Sequence, residues 1–327
     1  GGAQVPQLDF LNHNRPVLDA HNCYPYEGRW SDRIDRALKT GYPVGIEQDI
    51  AWAADPVTGK GRPVVTHTAT TTGAEPTLRD HFFERVRPLI EKALADNDRA
   101  RWPLIVLHFD FKSLDPILLR AVWDLLGEYQ GWITTAPQTS SPYQLGLLDP
   151  KPLLVLTEDA DIQEQVFFRD LPEGTRLRVF GSAQTAKIDA KSGAERQRLA
   201  VTLPPDTLLP GKATNYRRWW NNAWEEVEEG GQTKAGDWTP AKATRLRALA
   251  DHAHQLGYWI RFYTLDGFNP ADSSDHANDR GWGAGYNFGS RERVETRWKA
   301  AIDAGVDLIA SDQYEDLRAV MREHDTK

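Results

Sequence analysis

Short runs of β-branched and other apolar residues alternate along this chain with longer stretches in which apolar residues recur every three or four positions. The runs predict strands over 16–21, 44–52, 63–67, 104–111, 153–157, 177–180, 259–265 and 307–311. Helical spacing predicts helices over 32–40, 78–95, 116–129, 162–170, 240–256, 291–304 and 314–323. Within 78–95, Phe82, Val86, Leu89, Ile90 and Leu94 share one helical face, a stripe suited to packing on a sheet. Gly41, Gly257 and Gly305 each close a helix just before the next strand, where a left-handed position is needed. Strand followed by helix, repeated from end to end, is the grammar of a parallel α/β fold. No compositional break marks a linker, so the expectation is one domain over 1–327, a single (β/α)8 TIM-type barrel with long active-face loops. The rhythm fails over 184–238, polar at first and then carrying Trp219, Trp220, Trp224 and Trp238. That interval is expected to hold the sixth strand and long loops.

Composition narrows the class. Of 327 residues, 40% are hydrophobic, 26% charged and 10% aromatic, enough to bury a core and unlike a disordered chain. Thirty-nine Lys and Arg stand against 47 Asp and Glu, a net charge of −8 that repels phosphate backbones and makes nucleic acid an unexpected partner. No apolar run approaches the roughly 20 residues of a membrane span. The single cysteine, Cys23, excludes an internal disulfide framework and a cysteine-rich zinc site. Amid oxygen donors it reads as a small packed residue and not a ligand. The chain starts Gly1-Gly2-Ala3-Gln4 without Met, consistent with a processed, exported (periplasmic or secreted) form.

In such a barrel, catalytic groups stand at the C-terminal ends of strands. Here those ends carry Asp19-Ala20-His21-Asn22, Glu47-Gln48-Asp49, His67 and His108-Phe109-Asp110-Phe111-Lys112. Residues two apart on a strand point the same way, so Glu47 goes with Asp49, and His108 with Asp110 and Lys112. Glu47 and Asp49 lie inside the apolar frame of 44–52, where unpaired charges are costly unless coordinated. Asn22, Glu47, Asp49 and Asp110 form a hard oxygen-donor set suited to Ca²⁺, with Mg²⁺ as the rival. Two histidines could then divide acid and base work. Phosphoryl transfer uses that combination. Lys112 is expected to join the site, pairing with Asp110, Glu47 or a substrate phosphate.

These segments resemble the catalytic X region of calcium-dependent phosphoinositide-specific phospholipase C. The resemblance runs through His21-Asn22-Cys23-Tyr24, Glu47-Gln48-Asp49, Pro63-Val64-Val65-Thr66-His67 and the strand ending His108-Phe109-Asp110. It covers about the first 112 residues. It implies His21 and His67 as the catalytic histidines and Asn22, Glu47, Asp49 and Asp110 as metal ligands. Where that family has Glu as its last acidic ligand, this chain has Asp110. Asp110 followed by Lys112 is similar to the sphingomyelinase D branch. Arg261-Phe262-Tyr263-Thr264 and the closing segment 305–312 look like glycerophosphodiester phosphodiesterases, although Asn22 stands where those carry Arg. The shared implication is a TIM barrel that cleaves a phosphodiester in a small molecule or lipid headgroup.

The run 215–224 mixes Arg217 and Arg218 with Trp219, Trp220 and Trp224. It reads either as a pocket wall, with an arginine on a phosphate oxygen and an indole on a polyol ring, or as a surface loop with guanidinium groups over indoles. Arg261 and Tyr263 read either as substrate contacts or as barrel interior. Two other functions remain open on sequence. One is a non-catalytic polyol- or carbohydrate-binding barrel, suggested by the tryptophans. The other is a glycosidase, which needs two carboxylates about 5–9.5 Å apart across a bond.

Overall fold

A computed structural model describes residues 15–25, 29–272 and 283–326; Gly1 to Gln4, on which the expectation of a processed start rests, lie outside them. The elements in chain order are β1 (Val17–Ala20), α1 (Arg33–Lys39), β2 (Val44–Ala54), β3 (Gly61–Val65), α2 (Glu84–Asp96), β4 (Ile105–Phe111), α3 (Pro116–Glu128), β5 (Leu153–Thr157), α4 (Asp161–Glu164), β6 (Phe180–Ser182), α5 (Gly193–Ala200), α6 (Pro205–Leu208), β7 (Arg217–Ala223), α7 (Pro240–Gln255), β8 (Trp259–Tyr263), α8 (Arg291–Asp303), β9 (Leu308–Ser311) and α9 (Tyr314–Asp325). The strand order, with a helix between successive parallel strands, is that of the (β/α)8 barrel expected from the sequence. The chain divides into two compact units.

The first unit comprises Asn22–Ser182 with Thr214–Arg217. Its strands run in the order β6-β5-β4-β2-β3. β2, β4, β5 and β6 pair in parallel, and β2 and β4 are buried along nearly their whole length, which accounts for their near-continuous apolar sequence. The predicted strand over 63–67 is not one of the parallel set. It is β3, folded antiparallel onto β2 from Ile50 opposite Val65 to Ala54 opposite Gly61. Asp55 makes that hairpin by accepting from the N–H groups of Val57 (2.8 Å) and Thr58 (3.1 Å). The ladder predicted over 177–180 begins only at Phe180, because Leu177 bridges antiparallel to Ala136 instead. α3 starts where Asp115 caps the Ile117 N–H at 2.9 Å with Pro116 in the first turn. It buries Leu118, Leu119, Val122, Leu125 and Leu126, each worth roughly 1.5–3 kcal/mol of transfer free energy.

The second unit comprises the described residues up to His21, Ala183–Ala213 and Arg218 onward. Its strands run β1-β9-β8-β7, all in parallel pairs. β7, the sixth parallel strand, falls inside the interval 184–238 as expected. It is a strand and not a surface loop: Trp219 and Trp220 have no exposure and Arg218 only 5%. Past its end, buried Trp224 donates its indole N–H to Glu228 (2.7 Å). Arg297 of α8 reaches the same carboxylate through two nitrogens (2.8 and 3.0 Å) and lies over the rings of Phe288 and Trp238. Lys242 completes the knot at 2.7 Å. Trp219, Trp220 and Trp224 are therefore core, while Trp238 is half-buried against Trp224. Gly257 and Gly305 have φ of +91° and +81°, the left-handed helix ends predicted for them.

Candidate active site

β2 and β4 place the first group of side chains. Their register sets Glu47 opposite His108 and Asp49 opposite Asp110. Oxygens of Glu47, Asp49 and Asp110 all lie within 4.8 Å of one another. Glu47 and Asp49 are buried, and so close a set of carboxylates repels itself. Burial first, then the charges of Glu47 and Asp110, hold the Asp49 carboxyl well above the usual carboxylate range, against the pull of Lys112 and Tyr24. Lys112 supplies the counter-charge, its Nζ 3.1 Å from Asp49 and 3.2 Å from Asp110. Burial alone would lower the Lys112 ammonium, but the two aspartates raise it above its ordinary value. Burial likewise pushes Asp110 up, but Lys112, a hydrogen bond shared with Glu158 and the nearby His108 together outweigh it, so Asp110 sits low. Glu158, just past β5, is pushed up to about 8 by burial and then by Asp110; it accepts from Gln163 Nε2 at 2.9 Å.

Asn22 is held at three points. Its backbone is left-handed, φ +53°, a conformation asparagine tolerates better than most residues. Its N–H donates to Glu47 Oε2 (2.6 Å), its carbonyl accepts from buried Arg33 (2.5 Å), and its side-chain oxygen lies 2.8 Å from the Tyr24 hydroxyl. The same hydroxyl lies 2.8 Å from Asp49 Oδ2. The other oxygen, Asp49 Oδ1, is buried and has no hydrogen-bond partner. Three carboxylates, one of them with an unsatisfied oxygen, and an amide oxygen fit a hard divalent cation. Cys23 is buried and reduced. His67 lies two residues past the end of β3, exposed, its ring 6.2 Å from that of Tyr24.

The other unit carries His21. Its N–H donates to Ser311 O (3.1 Å), and its carbonyl accepts from the Tyr314 hydroxyl (2.5 Å). Nδ1 lies 2.9 Å from Asp312 Oδ1, so a proton on Nδ1 makes Nε2 the basic nitrogen of the neutral ring. Asp312 is fixed in turn by its N–H on Asp266 Oδ1 (2.8 Å), which also accepts from the Ser311 hydroxyl (2.7 Å). Burial first, and then the Asp312 charge, raise the fully buried Asp266 well above the usual range. Tyr286 meets the His21 ring edge-on at 5.5 Å.

Of the remaining predicted contacts, Arg218, Trp219 and Arg261 are buried, whereas Arg217 and Tyr263 are half-buried. Arg261 is 2% exposed, with Nε on Asp19 (2.5 Å) and Nη1 on Asn221 (2.7 Å), and its guanidinium lies 5.6 Å from the Tyr263 ring. Its Nη2 is buried and has no hydrogen-bond partner. Arg217, in the first unit, donates to the carbonyls of Asp159 (2.9 Å) and Ser182 (2.7 Å) and pairs with Asp161 and Glu164. Burial lowers Arg218 to about 10. The closed-in indole of Trp219 presents no face to a substrate. Tyr24, Arg33, Glu158 and Asp312 were not singled out by sequence. Tyr24 and Asp312 stand in the motif segments, whereas nothing local marks the other two.

No family profile matches this sequence, and no curated protein is similar to it. Among solved structures, one glycerophosphodiester phosphodiesterase of Parabacteroides distasonis superposes on 95% of this chain and 98% of its own, at 12% identity and a TM-score of 0.44. A second from the same organism covers 95% and 87% at 13% identity and 0.40. The HPPK-DHPS protein of Plasmodium falciparum covers 96% of this chain and 49% of its own at 9% identity and 0.44. Likenesses of this size bear on neither activity nor substrate.

Proposed function

We propose that this chain is a metal-dependent phosphodiesterase. The observation that carries the reading is the grouping of buried Glu47 and Asp49 with half-buried Asp110 at adjoining strand positions, with Asp49 Oδ1 unsatisfied. Glu47, Asp49, Asp110 and Asn22 would hold a divalent cation, Ca²⁺ first by the donor set and Mg²⁺ second. When bound, it supplies positive charge to the nonbridging oxygens of a phosphodiester. Tyr24 and Arg33 fix the donors from behind. His21, turned by Asp312 so that Nε2 is its basic nitrogen, and His67 divide the remaining work: one accepts the nucleophile's proton, the other protonates the departing alkoxide. The substrate is a small phosphodiester or a lipid headgroup, and an exported location suits either. No helix among the described residues is long and apolar enough to cross a membrane.

The carbohydrate-binding alternative loses most of its support, since Trp219, Trp220 and Trp224 are closed off from solvent and half-buried Trp238 lies against Trp224 and Arg297. The test is cleavage of a bis(4-nitrophenyl) phosphate chromogen. Turnover is expected from the wild type, to vanish with chelator, to return with Ca²⁺ or Mg²⁺, and to be absent in Glu47→Gln. Undiminished turnover in chelator would sink the metal-dependent reading.

A further inference from the structure

Lys112 continues the β4 ladder one residue beyond Phe111, its N–H donating to Ile50 O at 2.8 Å. It therefore projects to the same face as Asp110. Its side chain is 22% exposed, and Nζ reaches Oδ2 of both aspartates, 3.1 Å to Asp49 and 3.2 Å to Asp110. Lysine at a strand end normally extends into water; this one is folded back into the carboxylate group. The two oxygens it holds belong to residues that would ligate the cation. Three carboxylates against one ammonium leave a formal charge of minus two, the complement of one divalent ion.

We infer that Lys112 is a built-in counter-cation that sets how tightly the carboxylate cluster binds a divalent metal ion, competing with it for Asp49 and Asp110. The inference rests on the metal reading above. Without the metal, Lys112 relieves the repulsion among Glu47, Asp49 and Asp110 and stabilises the fold around them. With it, two like charges contend for the same oxygens, and the ammonium must give them up. Lys112 thus weakens metal binding while protecting the metal-free protein. The opposite role, a lysine that organises the carboxylates for the metal, would make metal binding depend on it.

The two roles differ in sign, and the sign is measurable without turnover. The full chain, stripped with chelator, is titrated calorimetrically with CaCl₂ and separately with MgCl₂. The samples are wild type, Lys112→Met, which keeps the stem, and Lys112→Gln, which keeps two donors for the aspartates. Both variants are expected to bind at least one of the ions roughly tenfold more tightly, a gain of about 1.4 kcal/mol. In chelator they should also melt below the wild type, and gain more than it does when the ion is added. If one variant fails to fold without metal, the other carries the comparison. Equal or weaker affinity in the variants, with wild-type binding intact, overturns the inference and leaves the metal reading standing. No binding heat in any of the three overturns both. Binding that emerges only in the variants supports the inference most strongly.

Discussion

A histidine is only as useful as its orientation, and here the two candidate histidines are held very differently. His21 is fixed at three points, including Nδ1 on Asp312; His67 is exposed beside Tyr24. Each His→Ala change should lower turnover by roughly 10²–10⁴-fold. On a nitrophenyl diester, whose leaving oxygen hardly needs a proton, the variant lacking the general acid should lose far less than on an alkyl diester. Equal losses on both substrates in both variants would refute the division of labour. Asp312→Asn, which offers an amide where the ring needs an acceptor, should cost roughly 10²-fold by favouring the wrong tautomer. Asp312 lies 291 positions from His21, so its closing segment could be noticed in the sequence while its partner could not. A different histidine is expected to make stability depend on pH. His81 is buried, its Nε2 has no partner, and burial, then Arg85, lower it to about 4 against an opposing pull from Asp35. The native pKa lies below the unfolded 6.5, so the unfolded chain binds more protons in between. Stability should fall as pH drops from about 6.5 to 4, by roughly 3 kcal/mol, and His81→Leu should flatten that fall in pH-dependent urea unfolding. An unchanged slope in that variant would place the acid sensitivity elsewhere.

At the level of elements, the sequence was most legible where burial on both faces leaves an unbroken apolar run. β2 and β4 were evident for that reason, and so was the sharing of one face by Glu47 and Asp49. It was least legible where strand residues are polar. β7 reads Arg-Arg-Trp-Trp-Asn-Asn-Ala, with no alternation to reveal it, because Arg217 and Asn221 are accommodated by particular partners that no local pattern encodes. β3 is apolar enough to pass for a barrel strand, and only the Asp55 turn makes it a hairpin. The knot after β7 belongs to the same class of hidden feature. Glu228 and Arg297 are almost fully buried and joined through two hydrogen bonds. Arg297→Met should therefore destabilise by about 3–5 kcal/mol, since it leaves a buried carboxylate short of its main partner. Arg297→Met combined with Glu228→Gln should recover part of that loss. A shift in urea midpoint worth under about 1 kcal/mol in the single variant would show the pair to be dispensable.

For the molecule as a whole, the barrel explains why residues from scattered motifs stand at strand ends. Arg217 and Arg297 spend their hydrogen bonds on the protein itself. A net charge of −8 gives no general attraction for anions, so affinity for a phosphodiester has to come from the site. The account therefore stands on the link between the carboxylate cluster and diester cleavage. The most direct test is ³¹P NMR of a glycerophosphodiester incubated with metal-loaded protein, wild type beside Asp49→Asn. The expected result is conversion of the diester resonance to a phosphomonoester or cyclic phosphate by the wild type, and an unchanged diester with the variant. An unchanged diester with wild type, or equal conversion by both, would contradict it.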